Sequence, residues 1–110
     1  MAGYKSTYKY ARISPRKVRL VTDLISNKHI GEALTLLNFS KKRAAVMVKK
    51  ALESAIANAD QAEANKRLLW VTEARVDEGP TIKRWQPKDR GRAHPIKKRT
   101  SHIHITVKEV

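Results

Sequence analysis

The sequence predicts an α+β fold: three helices packed on a small three-stranded antiparallel sheet, with a long protruding β-hairpin. Two periodicities indicate this class, because apolar residues recur every three or four positions in the middle of the chain and alternate with polar residues near its ends. A third observation is a strongly basic stretch, poor in apolar residues, between strand-like segments at residues 68–77 and 99–107. At 110 residues we expect one domain (1–110), with an extended hairpin arm at approximately residues 78–100.

Charge dominates the composition. The chain holds 24 Lys and Arg against 10 Asp and Glu, which gives a formal net charge of +14. Such an excess predicts a polyanionic partner, either nucleic acid or a membrane surface rich in anionic lipid. The absence of cysteine excludes disulfides and thiolate metal sites. The apolar runs are too short to span a bilayer and the first residues lack the apolar segment of a secretory signal, so we expect a soluble intracellular protein.

The first predicted elements are a strand over residues 4–13 and a helix behind it. The cations of the strand (Lys5, Lys9 and Arg12) fit a lysine-guarded sheet edge as well as an RNA-facing side. Ser14 and Pro15 predict the helix start, because serine caps free backbone N–H groups and proline suits the first helical position. The helix should run to about Ser26, with Asn27 as a left-handed C-cap. One face carries Val18, Val21, Leu24 and Ile25.

Basic residues occupy the opening turns of this first helix, where the helix dipole disfavours cations. They are Arg16, Lys17 and Arg19. A phosphate beside them would reverse that cost, so we interpret them as RNA contacts in preference to an ordinary solvated face.

Two further helices are predicted. Gly31 should cap a short one that runs from Glu32 to Leu37, and Ser40 should open a long amphipathic one that continues to about residue 63. The apolar residues of the long helix fall at steps of three and four: Ala44, Ala45, Val48, Ala51, Leu52, Ala55, Ile56 and Ala59. Its first half is basic, which fits a solvated face as well as RNA contact; the cations are Lys41, Lys42, Arg43, Lys49 and Lys50.

The last two body strands should form the root of the arm. Residues 68–77 are predicted as a strand with Trp70, Thr72, Ala74 and Val76 on one face, and we expect Trp70 to pack in the core. The alternation of Ile103, Ile105 and Val107 predicts the returning strand. Gly79 and Pro80 should loosen the ladder where the arm leaves the body.

The arm is the strongest functional signal in the sequence. Between Lys83 and Arg99 it carries eight basic residues and one acid, Asp89, so it cannot bury a core of its own and needs a polyanion as partner. Arginine presents a planar fork to phosphate, whereas lysine presents a point charge. Trp85, which is flanked by charged and polar residues, is interpreted as stacking on RNA in preference to packing against its own hairpin or against protein. The basic residues are Lys83, Arg84, Lys88, Arg90, Arg92, Lys97, Lys98 and Arg99.

The sequence contains no convincing set of catalytic or metal-binding residues. We therefore expect that the protein is not an enzyme and has no cofactor. His102 and His104 share one strand face, but no third metal ligand of obvious identity accompanies them. A nuclease built from these histidines and Lys98 could not flank a scissile phosphate. The acids Asp77 and Glu78 are explained by nearby arginines or by turn formation. The main rival is a membrane-surface or DNA-compacting protein, although membrane binding would need an amphipathic basic helix with aromatic residues.

Four segments together carry a family resemblance: YARISPRKVRLVTDLI, KALESAIANA, VDEGPTIKR and GRAHPIKKRTSHIHITV. Their order and spacing resemble the bacterial large-subunit ribosomal protein L22 family from about Arg12 to Val107. The resemblance implies an α+β body with a hairpin extension, binding to large-subunit ribosomal RNA, support of subunit assembly, and a hairpin tip that lines the nascent-peptide exit tunnel. The implied partners are that RNA, neighbouring ribosomal proteins and the nascent peptide near the tip, with no membrane.

The resemblance also assigns RNA-binding residues by position. In the body they are Arg12, Ser14, Arg16, Lys17 and Arg19; in or near the buried tip lie Lys83, Arg84, Trp85, Gln86, Pro87, Lys88, Arg90, Gly91 and Arg92. The remaining arm cations, Lys97, Lys98 and Arg99, are predicted to bind RNA because of their charge. The chain departs from the family pattern at the tip, where Lys88 and Asp89 replace the usual arginine-alanine pair and Trp85 is bulkier than many residues at that place. Asn27 replaces a common glycine after the first helix and can still adopt the left-handed conformation.

Overall fold

The computed structural model describes residues 3–88 and 92–110, with side chains at 3–81 and 98–110. The elements in chain order are β1 (Tyr4–Ala11), α1 (Pro15–Ile25), α2 (Ile30–Phe39), α3 (Arg43–Gln61), a 3-10 turn (Lys66–Leu68), β2 (Leu69–Glu78), β3 (Ile82–Lys88), β4 (Arg92–Lys98) and β5 (Ser101–Glu109). Strand β5 lies between β1 and β2 in a three-stranded antiparallel sheet, and β3 pairs with β4 in a separate two-stranded sheet. The predicted α+β class is confirmed.

The hydrophobic core lies between this three-stranded sheet and helices α1 and α3. The alternation predicted for the returning strand is confirmed, because Ile103, Ile105 and Val107 of β5 are fully buried. The helices supply the facing side chains, among them Val18, Val21, Ile25, Val48 and Leu52, and α2 packs beside α1 and α3. Burying each such side chain contributes about 1.5–3 kcal/mol. The buried alanines of α3 have small side chains, which allows the helix to lie close to the sheet.

Strand β2 departs from the alternation that the sequence suggested. Leu69 and Val71 are buried, but the next buried residue of β2 is Val76, because the pairing with β5 shifts register between Val71 and Glu73. An extra residue at a bulge moves every later residue to the opposite face. The expectation that Trp70 packs in the core is therefore wrong. Its side chain is 38% exposed and meets the ring of His29 edge-on, with ring centroids 5.7 Å apart.

Helix α1 begins and ends close to the predicted residues. Ser14 is the N-cap and Pro15 the first helical residue, although the Ser14 side chain makes no capping hydrogen bond. Asn27 has a φ of 61°, which confirms the left-handed conformation predicted for it. Leu24, which was assigned to the buried face, is 48% exposed, and Thr22 is buried instead.

The starts of α2 and α3 differ from the prediction. His29 caps α2, since its Nδ1 accepts a hydrogen bond of 3.1 Å from the backbone N–H of Gly31. Gly31 is therefore not the cap but a residue of the first turn. Ser40 accepts a hydrogen bond of 3.3 Å from the N–H of Lys42, and α3 itself begins at Arg43.

The arm leaves the body through a break in the strand ladder, as predicted at Gly79 and Pro80. The pairing of β2 with β5 ends at Glu78 and Ser101, and that of β3 with β4 begins at Ile82 and Lys98. Between them the Gly79 N–H donates to the Thr100 carbonyl oxygen at 2.9 Å, and the Thr100 hydroxyl donates to the Pro80 carbonyl oxygen at 2.6 Å. Beyond this junction β3 and β4 contact chiefly each other.

Candidate nucleic-acid interface

A cleft of about 410 Å³, here called the α1–α3 cleft, opens where β1 leads into α1 and faces the start of α3. It brings together two segments that are far apart in the sequence. The first contributes Arg12, Ile13, Ser14, Lys17 and Leu20, and the second contributes Lys42, Arg43 and Ala44.

The turn that forms one wall of the cleft is fixed by hydrogen bonds. The Ile13 N–H donates to the Ala11 carbonyl oxygen at 2.8 Å, and the fully buried Ser101 hydroxyl donates to the Ile13 carbonyl oxygen at 2.6 Å. Pro15 is buried immediately behind this turn. The wall is thereby tied to the central strand β5, so the positions of Arg12 and Lys17 follow from the fold of the sheet.

The cleft is positively charged and carries no compensating acid. Four of its eight lining residues are basic and none is acidic. Within the described side chains, no ion pair involves those four cations; the ion pairs there lie elsewhere, for example Lys28–Glu32, Lys49–Glu53 and Lys66–Asp60. Cations held together without counter-charges create a local positive potential that attracts an anion.

Both helices that border the cleft begin there without a capping hydrogen bond from the side chain of the N-cap residue. Neither Ser14 of α1 nor Lys42 of α3 makes a capping side-chain hydrogen bond, and neither helix has an acid in its first turn. Helix starts leave backbone N–H groups free and carry a partial positive charge, which adds to the charge of the side chains. An anion in the cleft would accept hydrogen bonds from the backbone N–H groups and would also neutralise the charge of the side chains.

The structure brings together three of the five body residues that were predicted to bind RNA. Arg12, Ser14 and Lys17 line the cleft, whereas Arg16, in the same first turn of α1 as Lys17, is exposed but is not part of the cleft lining. Arg19 takes a different role, because its Nη2 donates to the Val76 carbonyl oxygen at 3.0 Å and so ties α1 to β2. Its remaining donors stay available, since a guanidinium carries five N–H groups.

The predicted arm residues are described in less detail. Lys98 and Arg99 are exposed at the root of the arm. The predicted site residues Lys83, Arg84, Trp85, Lys88, Arg92 and Lys97 belong to β3 and β4, and Arg90, Gly91 and the tip acid Asp89 lie outside the described residues. The register sets Lys83 opposite Lys97 and Lys88 opposite Arg92. Like charges directly opposite each other destabilise an isolated hairpin, which favours an anionic partner.

Five of the eight cleft residues were not assigned to a site by the sequence: Ile13, Leu20, Lys42, Arg43 and Ala44. Lys42 and Arg43 carried the same signal as Arg16 and Lys17, namely cations in the first turn of a helix, but a solvated face explained them equally well. Leu20 gave no signal at all, and its side chain is 56% exposed in the cleft. Only the packing of α1 beside α3 shows that these residues share one site.

The strand histidines have partners within the protein. His104 Nε2 lies 3.0 Å from Asp77 Oδ2, and the His102 Nδ1 accepts a hydrogen bond of 3.1 Å from the Tyr10 N–H. Asp77 also pairs with Arg75 at 3.6 Å, as expected for an acid beside arginines. Across residues 3–81 and 98–110, no group of three or more His, Asp or Glu side chains is arranged to hold a metal ion. None of the helices described is long and apolar enough to cross a bilayer.

Comparison with known proteins identifies the relatives of this chain. The family model described as Ribosomal protein L22p/L17e matches residues 6–108. The chain is similar to the large ribosomal subunit protein uL22 of Thermoanaerobacter sp. (strain X514), with 57% identity over 102 residues and 92% of each chain covered. It is also similar to the proteins of the same name from Clostridium tetani (48% identity) and Syntrophus aciditrophicus (49%), each over 106 residues and 96% of both chains.

Proposed function

The chain belongs to the ribosomal protein L22p/L17e family, and we propose that it binds large-subunit ribosomal RNA and supports assembly of the subunit. The family is structural and not enzymatic, and its curated relatives are proteins of the large ribosomal subunit. Its place is therefore the ribosome, in the cytoplasm, with ribosomal RNA and neighbouring ribosomal proteins as partners.

The observation that carries this proposal is the α1–α3 cleft, where four cations and two helix starts converge without an acid. Phosphate groups of RNA supply the missing negative charge. Sixteen of the 24 Lys and Arg residues lie outside Lys83–Arg99, so the body has enough cations to anchor the protein without the arm. We assign the anchoring role to Arg12, Ser14, Arg16 and Lys17 together with Lys42 and Arg43, with a contribution from the free donors of Arg19.

The arm has a second role in this proposal. Its tip lines the nascent-peptide exit tunnel and meets the nascent peptide, while Lys83, Arg84, Lys88, Arg90, Arg92, Lys97, Lys98 and Arg99 neutralise the surrounding RNA and Trp85 stacks on it. Gly91 allows close backbone approach at the tip. Support comes from the described strands of the arm, which contact chiefly each other, and from its like-charged cross-strand partners. Such an arm needs a partner outside its own chain.

Salt-dependent binding to large-subunit RNA tests the anchoring role. Replacing Lys42 and Arg43 together by glutamine should weaken binding and reduce the slope of log K against log salt by up to about two, because each phosphate that is no longer neutralised lowers the slope by about one. The matched control is the glutamine pair at Lys66 and Arg67, two adjacent cations of the 3-10 turn outside the cleft. Equal weakening in the two variants would show that charge alone, and not the cleft, governs binding.

Separate readouts test the division between body and arm. Arg84→Ala or Trp85→Ala should change sensitivity to macrolide antibiotics, which act in the exit tunnel, while occupancy of the large subunit stays near normal. Neutralising Arg16 and Lys17 should lower occupancy first. Reversed results, with occupancy lowered in the arm variants and kept in the body variant, would contradict the proposal. Recovery of the protein only with membranes would favour the membrane-surface rival instead.

A further inference from the structure

We infer that the α1–α3 cleft receives one unstacked nucleotide of the RNA, with its base against the apolar floor and its phosphate among the cations. This inference rests on the proposed RNA binding and makes it more specific. We call the apolar lining residues Ile13, Leu20 and Ala44 the floor, and the basic lining residues Arg12, Lys17, Lys42 and Arg43 the rim. The apolar floor suits the base of a nucleotide, and the basic rim suits its phosphate.

The apolar floor is the feature that phosphate binding leaves unexplained. Leu20 is 56% exposed although it lies among cations on a helix whose opposite face is fully buried. Contact between the rim and a duplex backbone would neutralise the charges but leave the leucine in water. A base that covers it removes apolar surface from water, which is favourable by about 25 cal/mol for each Å².

The dimensions and chemistry of the cleft favour a nucleotide over simpler occupants. Its volume of about 410 Å³ lies within the roughly 300–1,000 Å³ range of small-ligand sites, whereas a phosphate ion needs no such cavity. An apolar side chain from a neighbouring protein would fit the floor but would bring no charge for the rim. Proteins recognise single-stranded RNA by taking unstacked bases onto apolar or guanidinium surfaces, and Arg12 and Arg43 offer guanidinium planes beside the floor.

Adding a positive charge to the floor distinguishes base binding from phosphate binding. Leu20→Lys fills the base site with a cation, so we expect at least about fivefold weaker binding to large-subunit RNA. The matched control is Leu24→Lys, one turn further along α1, at a position that is 48% exposed and outside the cleft. The two variants have the same net charge, so pure phosphate binding would leave them equal or make Leu20→Lys the tighter binder. Leu20→Met, which keeps the apolar floor, should bind like the original chain.

Chemical probing of the base-pairing edges of the RNA identifies the occupant. One unpaired nucleotide should be protected by the original chain and by Leu24→Lys, and should regain its reactivity with Leu20→Lys. Thermal melting should show all three variants folded, because both leucines are exposed. The inference is overturned if Leu20→Lys binds as tightly as Leu24→Lys, or if its weaker binding exposes no base. If the original chain shows no salt-dependent RNA binding at all, the proposed function itself fails, which is a separate result.

Discussion

The chain pairs antiparallel segments twice, once in the body and once in the arm. In the body, β2 and β5 are joined in a ladder that ends at Glu78 and Ser101, and one face of that sheet is covered by α1 and α3. In the arm, β3 and β4 continue in the same antiparallel sense from Ile82 and Lys98, and in the part of the arm that the structure describes they contact chiefly each other. Both regions have antiparallel backbone pairing, but among the described residues only the sheet of the body has one face buried under helices.

The difference shows where the stability of the hairpin comes from. An isolated two-stranded hairpin is marginal in water, and a sheet becomes stable when a third strand or a helix layer buries one face. The body supplies both, through β1 and through the two helices. The arm supplies charge instead, with eight basic residues in the 17 positions from Lys83 to Arg99, a composition that favours an anionic partner.

The largest effect is expected from a charge placed in the core of the body. Leu52 is fully buried in α3, so Leu52→Asp should destabilise the fold by more than about 4 kcal/mol and unfold most of the population at 25 °C. Ser54→Asp adds the same charge at an exposed position of the same helix and should cost no more than about 0.5 kcal/mol. Urea unfolding followed by circular dichroism measures both. Similar unfolding midpoints would refute the assignment of the core to the α3–sheet interface.

The junction between the two regions should be sensitive to a single methyl group. A Cβ at Gly79 would collide with the hydroxyl of Thr100, which is 3% exposed and bonded to the Pro80 carbonyl oxygen. Gly79→Ala should therefore cost about 1–3 kcal/mol. Gly31→Ala is the control, because its Cβ would meet only the His29 ring, with Nδ1 at 3.4 Å, and a helical alanine should gain about 0.5 kcal/mol. Thermal melting measures both variants, and a change of the melting temperature in the same direction for both would contradict this account of the junction.

The two tryptophans offer a smaller test of the same comparison. Trp70 belongs to the body and packs edge-on against His29, so Trp70→Ala should cost about 1–2 kcal/mol. Trp85 belongs to β3, which as far as the structure describes it contacts chiefly β4, so Trp85→Ala should change the free energy of unfolding by less than about 0.5 kcal/mol. Denaturant titration of the two alanine variants gives both values. A larger destabilisation by Trp85→Ala would mean that the arm is part of the folded body.

The smallest effect on stability should follow from removal of most of the arm. Residues 84–96 can be replaced by Asn-Gly, which joins Lys83 to its cross-strand partner Lys97 through a two-residue turn. Because β3 and β4, as far as the structure describes them, contact chiefly each other, we expect the free energy of unfolding to stay close to that of the full chain, with one cooperative transition. Calorimetry provides the measurement, and a broken cooperative transition would show that the arm contributes to the core.

Much of the fold could be predicted because local signals and tertiary packing agree in most elements. The Ser14-Pro15 start, the left-handed Asn27 and the alternation of β5 depend on backbone preferences and burial that are visible within a few residues of sequence. The start of α2 was missed because the cap is a histidine, which is not among the usual capping residues. The position of Trp70 was predicted wrongly because the bulge in β2 arises from the pairing of β2 with β5. No residue of β2 itself indicates that bulge.

By itself, the sequence determined the fold class, the basic arm and the family, since charge, periodicity and short motifs are properties of the chain alone. Tertiary structure decided which residues share the α1–α3 cleft. Residues 12–20 and 42–44 are distant in sequence, and they meet only because α1 and α3 pack on the same face of one sheet with their first turns together. The tertiary structure also decided that Arg19 donates a hydrogen bond to β2 and that the Leu20 side chain stays exposed. Such contacts depend on the distances between segments in the folded chain, which the composition of the segments does not reveal.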